Sequence, residues 1–328
     1  MKKRVLITGA SGFVGFHLIE AALASGLDVY AAVRGASQIS HLQVFDIQYV
    51  QLDFNVVEQL HETIESCKID YIIHAAGITK ARTEAEYNQV NAVFTRNLAV
   101  ASVNAGVEKF VFVSSLAALG PLSDLKGMLH DDSVAHPVTS YGKSKLLAEQ
   151  YLSEIPELPL IVIRPTAVYG PREKDIFILF NSINKGLEPY IGQFQQQLSF
   201  VYVKDLAAIV VKALHADVRQ QSYNVSDGCV YDRYALADLS KKTLKKKTFK
   251  FHLPVAVVNL LASTMELLYR WSVKAPTLNK EKMQELTAVN WACDISAIRT
   301  NLGFSPKYNL ALGLTETLNW YKKNNWLS

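Results

Sequence analysis

Arg4-Val-Leu-Ile-Thr8-Gly-Ala-Ser-Gly12-Phe-Val-Gly15 is the stretch that decides the fold. Its first five residues are apolar and partly β-branched, as expected of a strand buried on both faces. Three glycines at three-residue intervals follow. Gly9 permits a tight turn, Gly12 lets a pyrophosphate approach the backbone, and Gly15 lets a helix over 13–24 pack closely on the strand. That helix would point its first N–H groups at the phosphates, placing Ser11, Phe13 and Val14 beside them.

The next apolar run, 28–33, ends at Arg34, where a carboxylate would be expected if the cofactor were held through both ribose hydroxyls. No Asp or Glu stands there. The planar fork of an arginine pairs with a 2′-phosphate, so NADP is the expected cofactor. NAD is the alternative if Arg34 is only a solvent-exposed strand end.

Further apolar runs at 47–52, 70–74, 109–114 and 160–164 alternate with helical stretches at 56–66, 84–104 and 141–154. Alternation of this kind predicts an α/β fold, a doubly wound parallel sheet of the Rossmann type. Residues 1–164 are expected to bind the dinucleotide. Residues 165–328, looser and punctuated by proline, are expected to form a smaller, mostly helical region that caps the sheet's carboxyl edge and encloses a small-molecule substrate. The boundary is approximate because a later strand or helix can return to the sheet.

Within the third helical stretch, Tyr141 and Lys145 stand one turn apart. A phenol with an ordinary pKa of about 10 is a poor acid and a worse base near neutrality. An ammonium four residues along favours the phenolate, although Tyr-x-x-x-Lys spacing also describes a tyrosine packed on a lysine stem. Joined to the glycine turn, the pair makes hydride transfer the leading reading.

Of the 328 residues, 49% are hydrophobic and 20% charged, enough for a large core in one or two domains. Net charge is only +4, and the cluster Lys241-Lys-Thr-Leu-Lys-Lys-Lys247 has no interleaved aromatic residues. It is read as a solvated helix face, and no nucleic-acid partner is expected. Cys67, Cys229 and Cys293 are widely separated and odd in number, which fits a reducing compartment; with no leader legible at the N-terminus, a cytoplasmic location is expected. No metal site is legible, and His74 is read as structural. No run approaches the roughly 20 apolar residues that span a bilayer. The nearest, 254–271, is amphipathic and is expected to cover a core, with docking on a membrane surface as the alternative.

In their order along the chain, these motifs resemble the extended short-chain dehydrogenase/reductase family, also called the NAD-dependent epimerase/dehydratase family. By that resemblance, Asp53 beside Phe54 contacts the adenine side of the cofactor, and Ala75, Ala76 and Gly77 line it. Asn91 supports a proton relay. Phe110-Val-Phe-Val-Ser-Ser-Leu-Ala-Ala-Leu-Gly120 carries the catalytic hydroxyl, best matched by Ser115 with Ser114 as its neighbour. Tyr141 exchanges the proton, Lys145 binds the nicotinamide ribose and lowers the phenol pKa, and Pro165 and Val168 belong to the segment after the nicotinamide-side strand. The helices at 84–104 and 141–154 match a pair that forms a dimer interface, so a homodimer is expected.

Family members acting on nucleotide-diphosphate sugars usually carry an arginine where this chain has Gln197-Leu-Ser199, and tend to carry an asparagine in the stretch occupied by Arg164-Pro-Thr-Ala-Val168. The C-terminal part is closer in pattern to the 3β-hydroxysteroid dehydrogenase and dihydroflavonol-reductase-like branches. The substrate expected is therefore an alcohol or ketone of substantial apolar area, with a sugar-nucleotide epimerase or dehydratase as the alternative. Phe177, Phe180, Tyr190, Phe194 and Tyr202 would supply an apolar lining if they face the cleft.

Overall fold

A computed structural model describes residues 2–268 and 279–327. The chain begins β1 (Arg4–Thr8), α1 (Phe13–Ala24), β2 (Asp28–Ala32), β3 (Gln48–Val50), α2 (Val57–Ser66) and β4 (Tyr71–His74). It continues with α3 (Glu84–Asn88), a π-helical turn (Gln89–Val93), α4 (Phe94–Asn104), β5 (Lys109–Val113), α5 (Ser140–Ser153) and β6 (Leu160–Pro165). The single helix expected over 84–104 is thus widened in its middle, at the turn that carries Asn91.

The second half contributes β7 (Ala167–Tyr169), α6 (Phe177–Asn184), β8 (Leu187–Ile191), β9 (Gln197–Leu198), β10 (Phe200–Tyr202), α7 (Val203–Ala213), β11 (Gln221–Val225) and β12 (Tyr231–Asp232). Then follow α8 (Ala235–Leu244), β13 (Phe249–Leu253), α9 (Val255–Leu268), α10 (Lys280–Thr287), α11 (Ser296–Leu302) and α12 (Leu310–Lys323). Three two-stranded ribbons, β7 with β10, β8 with β13 and β9 with β12, accompany these helices.

The central sheet is parallel, in the order β3-β2-β1-β4-β5-β6-β11. Its seventh strand comes from beyond Arg164, and α7 returns with it to pack beside α1. Alternate residues of β1 feed opposite layers: Val5 and Ile7 meet α1 and α7, whereas Leu6 meets α2, α4 and α5. Strand order reverses between β1 and β4, and the crevice beyond their carboxyl ends is where open sheets of this kind bind ligands.

A third apolar cluster, with Tyr169, Phe180, Tyr202 and Tyr321 at its centre, holds the C-terminal half together. Phe180 and Tyr202 are fully buried in it, Tyr190 is nearly so, and Phe177 packs edge-to-face against Tyr321 and Trp326. Four of the five aromatic residues expected to line a substrate cleft are therefore core. Their hydrophobic area is used to join elements that share no large sheet.

Candidate active site

A cleft of about 300 Å³ opens at the switch point, lined by Gly9, Ser11, Gly12, Arg34, Phe54 and the segment from His74 to Ile78, with Ser37 beside Arg34. Gly9 has φ +70°, and a Cβ there would lie 2.6 Å from the Ala75 carbonyl oxygen. A Cβ on Gly15 would fall 2.1 Å from the Gly9 carbonyl oxygen, so only glycine lets α1 seat against the turn. Gly12 donates its N–H to Gly9 at 2.9 Å, and no side chain caps α1. The first-turn amides at Phe13 and Val14 are thus left for an anion, which fits the pyrophosphate of a dinucleotide.

Ala75, Ala76 and Gly77 leave β4 and border the cleft. They are fixed by a chain of hydrogen bonds through His74. Ala76 N–H donates to Thr8 Oγ1 at 3.1 Å, Thr8 Oγ1 lies 2.7 Å from His74 Nδ1, His74 Nε2 lies 2.8 Å from Thr95 Oγ1, and Thr95 donates to the Asn91 carbonyl at 2.7 Å. With the N–H of Ala76 donating at one end and the Asn91 carbonyl accepting at the other, every hydroxyl and ring nitrogen between them is satisfied by a neutral imidazole protonated on Nε2. Burial pushes the His74 pKa down to about 3, with the Lys145 charge acting in the same direction.

Asp53 stands elsewhere than beside its neighbours. Leu52 and Phe54 line the cleft, whereas the Asp53 carboxylate is exposed and accepts from the backbone and side chain of Asn55 at 3.0 and 2.9 Å. Pro165 ends β6, and Val168 lies in β7.

The second group gathers around α5. Thr139 caps the helix by accepting from Gly142 N–H at 3.0 Å, which places Tyr141 in the first turn. Ser115 follows β5, and its oxygen accepts from Ala117 N–H at 3.2 Å. Burial pushes the Tyr141 phenol pKa up to about 12, and the neighbouring Ser115 hydroxyl opposes that rise. Ser114 is turned inward instead, donating to Glu149, which is itself held by Arg164 at 2.7 Å.

Lys145 follows β5: its ammonium donates to the Val113 carbonyl at 2.9 Å and sits 4.4 Å from the centre of the Phe112 ring. Helical spacing brings Tyr141 and Lys145 to one face, but the long lysine stem reaches to β5. Burial pulls the Lys145 pKa down to about 8. Asn91 accepts from Ile78 N–H at 2.8 Å and donates to Ile78 O and Ser144 Oγ, both at 3.0 Å. It therefore ties the cleft-lining segment to α5.

Several neighbours of this group carried no local sequence signal. Glu281, from α10, accepts from Ser140 N–H at 3.1 Å and from the Ser140 hydroxyl at 2.5 Å, so the C-terminal region grips the residue immediately before Tyr141. Glu285 on the same helix and Tyr87 also act on the phenol, and the Tyr87 ring lies edge-on at 6.4 Å. A carboxylate 141 positions from its partner can be found only once the chain is folded.

Comparison with known proteins bears on the family and the fold. Residues 5–226 match the model of the NAD dependent epimerase/dehydratase family. The chain is 25% identical to a UDP-glucose 4-epimerase of Vibrio cholerae, covering 99% of this chain and 97% of the relative. It is also 25% identical to a ceramide reductase of Caulobacter vibrioides, covering 98% and 96%. The structure of UDP-glucose 4-epimerase from Thermotoga maritima shares the fold with a TM-score of 0.80 at 19% identity, over 98% of this chain and 99% of that one. The motif order, the parallel sheet and the family match lead to one conclusion: the chain belongs to the NAD dependent epimerase/dehydratase family and is an enzyme of the extended short-chain dehydrogenase/reductase class.

Proposed function

We propose that this enzyme is an NADPH-dependent reductase that converts a ketone of large apolar area to its alcohol. The observation that carries the reading is the Ser115 hydroxyl acting on the buried Tyr141 phenol in the first turn of α5, together with a cleft that begins at the glycine turn. A bound nicotinamide dinucleotide supplies the hydride. Tyr141, kept protonated by its raised pKa, gives its proton to the ketone oxygen as negative charge develops there, and Ser115 hydrogen-bonds the same oxygen. Lys145, buried and donating to the Val113 carbonyl, ties α5 to the end of β5.

Arg34 with Ser37 in the cleft supports the 2′-phosphate assignment. Gln197, in place of an arginine, supports an apolar substrate over a nucleotide sugar, and the ceramide reductase relative acts on such a compound by its name. A homodimer through the helices at 84–104 and 141–154 and a division after Arg164 belong to the same proposal.

A second reading, a nucleotide-sugar epimerase that retains NAD, is favoured by the UDP-glucose 4-epimerase relative. Long-chain ketones and UDP- and dTDP-sugars tested in parallel separate the two. Net NADPH oxidation with a ketone, by enzyme that has lost its cofactor on dilution, supports the reductase. Sugar interconversion without net oxidation, by enzyme that keeps its cofactor, replaces it.

A further inference from the structure

The β8–β13 ribbon presents two unlike faces. Glu188, Tyr190 and His252 face inward, where Tyr190 stacks on His252, and Lys250, itself exposed, lies over the Tyr234 ring on the same side. Strand alternation places Leu187, Pro189 and Ile191 with Phe249, Phe251 and Leu253 on the other face, which is wholly apolar. One end is covered by α9: Val258 and Ala262 bury against Ile191 and Leu253. The other end is open, with Phe249 70% exposed beside Leu187.

Helix α9 adds a second open stripe. Val257, Leu260, Leu261 and Leu268 follow helical spacing and lie about 120° round the helix from Val258 and Ala262. Leu260 is 68% and Leu268 72% exposed. The loop leading into β13 carries Lys245, Lys246 and Lys247, all exposed, and Lys242 precedes them. Lys241 is held by Glu188 and Asp238, but among the described residues none of these other four lysines has a carboxylate partner.

From these features we infer that the β8–β13 ribbon and α9 dock on an anionic lipid bilayer. Phe249 and the α9 leucines insert at the acyl boundary while the unpaired lysines meet the headgroup phosphates. Exposed apolar side chains preceded along the chain by uncompensated cations match such a surface, whereas a stripe meant for water would be polar. The inference concerns a face of the molecule and does not depend on the reaction assigned above.

The test is co-sedimentation of the full chain with vesicles of phosphatidylglycerol and phosphatidylcholine, against pure phosphatidylcholine, at low and high salt. Binding to the anionic vesicles is expected, weakened at least about tenfold by K245E/K246E/K247E and again by L260S/L261S. The lysine variant removes no core side chain, so it keeps the test decisive should the leucine variant fold poorly; NADPH titration checks folding in both. No binding of the wild type, or equal binding of wild type and both variants, overturns the proposal. So does dissociation of an oligomer by L260S/L261S without vesicle binding, which would assign the stripe to a second copy. Retention of RNA in place of vesicles would overturn it as well.

Discussion

Ser114 donates its hydroxyl to the buried carboxylate of Glu149, whereas the adjacent Ser115 accepts from Ala117 N–H. With the Ser114 hydroxyl engaged by that carboxylate, we propose that Ser115 is the serine that serves Tyr141. Replacing Ser115 with alanine should lower kcat/KM about 10²–10³-fold while leaving the melting temperature near the wild type. Replacing Ser114 should do the reverse, costing about 1–3 kcal/mol of stability and little turnover. Steady-state kinetics and thermal unfolding of both variants check the assignment.

Arg164 answers the Glu149 carboxylate with contacts at 2.7, 3.0 and 3.1 Å and donates to the Asp131 carbonyl at 2.8 Å. Both side chains are almost fully buried. Arg164→Met leaves that carboxylate charged and unpaired, and should destabilise the protein by about 3–5 kcal/mol. Urea unfolding measures it.

Lys145 gives a pH dependence with a definite sign. Its pKa is about 8 in the fold against 10.5 in the unfolded chain. Between those values the unfolded state binds more protons, so this residue makes stability rise with pH from about 8 to 10.5; below 8 the cost of burying the charge is present in full. Lys145→Met should remove that rise, at most about 3 kcal/mol, in urea unfolding of the cofactor-free protein at pH 7.5 and 10.

Arg34→Ala should weaken NADPH binding about 10–100-fold and leave NADH binding nearly unchanged, since only the former carries the 2′-phosphate. Tryptophan quenching with each cofactor reads the ratio. Equal losses for both would return Arg34 to the role of a strand-end residue.

The sheet was legible because its strands are continuous apolar runs separated by helical spacing, and the glycine turn because Gly9 and Gly15 each make a backbone approach that excludes a side chain. Strand β11 was harder to see. Gln221-Ser-Tyr-Asn-Val225 is polar at alternate places because it lies at the sheet's edge, where Asn224 reaches the Leu129 carbonyl at 3.1 Å. The aromatic residues misled for a related reason: composition reports apolar area, and Tyr202 and Phe180 use it in a core that forms only when β10, α6 and α12 meet. The direction of Lys145 and the grip of Glu281 on Ser140 depend on tertiary placement, which spacing within one helix does not encode.

The most direct test of the central claim follows deuteride from stereospecifically labelled NADPH into a long-chain ketone, in wild type and in Tyr141→Phe. One equivalent of NADP formed per alcohol, with deuterium at the new carbinol carbon, and loss of turnover in the variant with NADPH affinity kept, is the result expected. Absence of label in any alcohol, together with interconversion of a UDP-sugar by enzyme that never releases its cofactor, would contradict it.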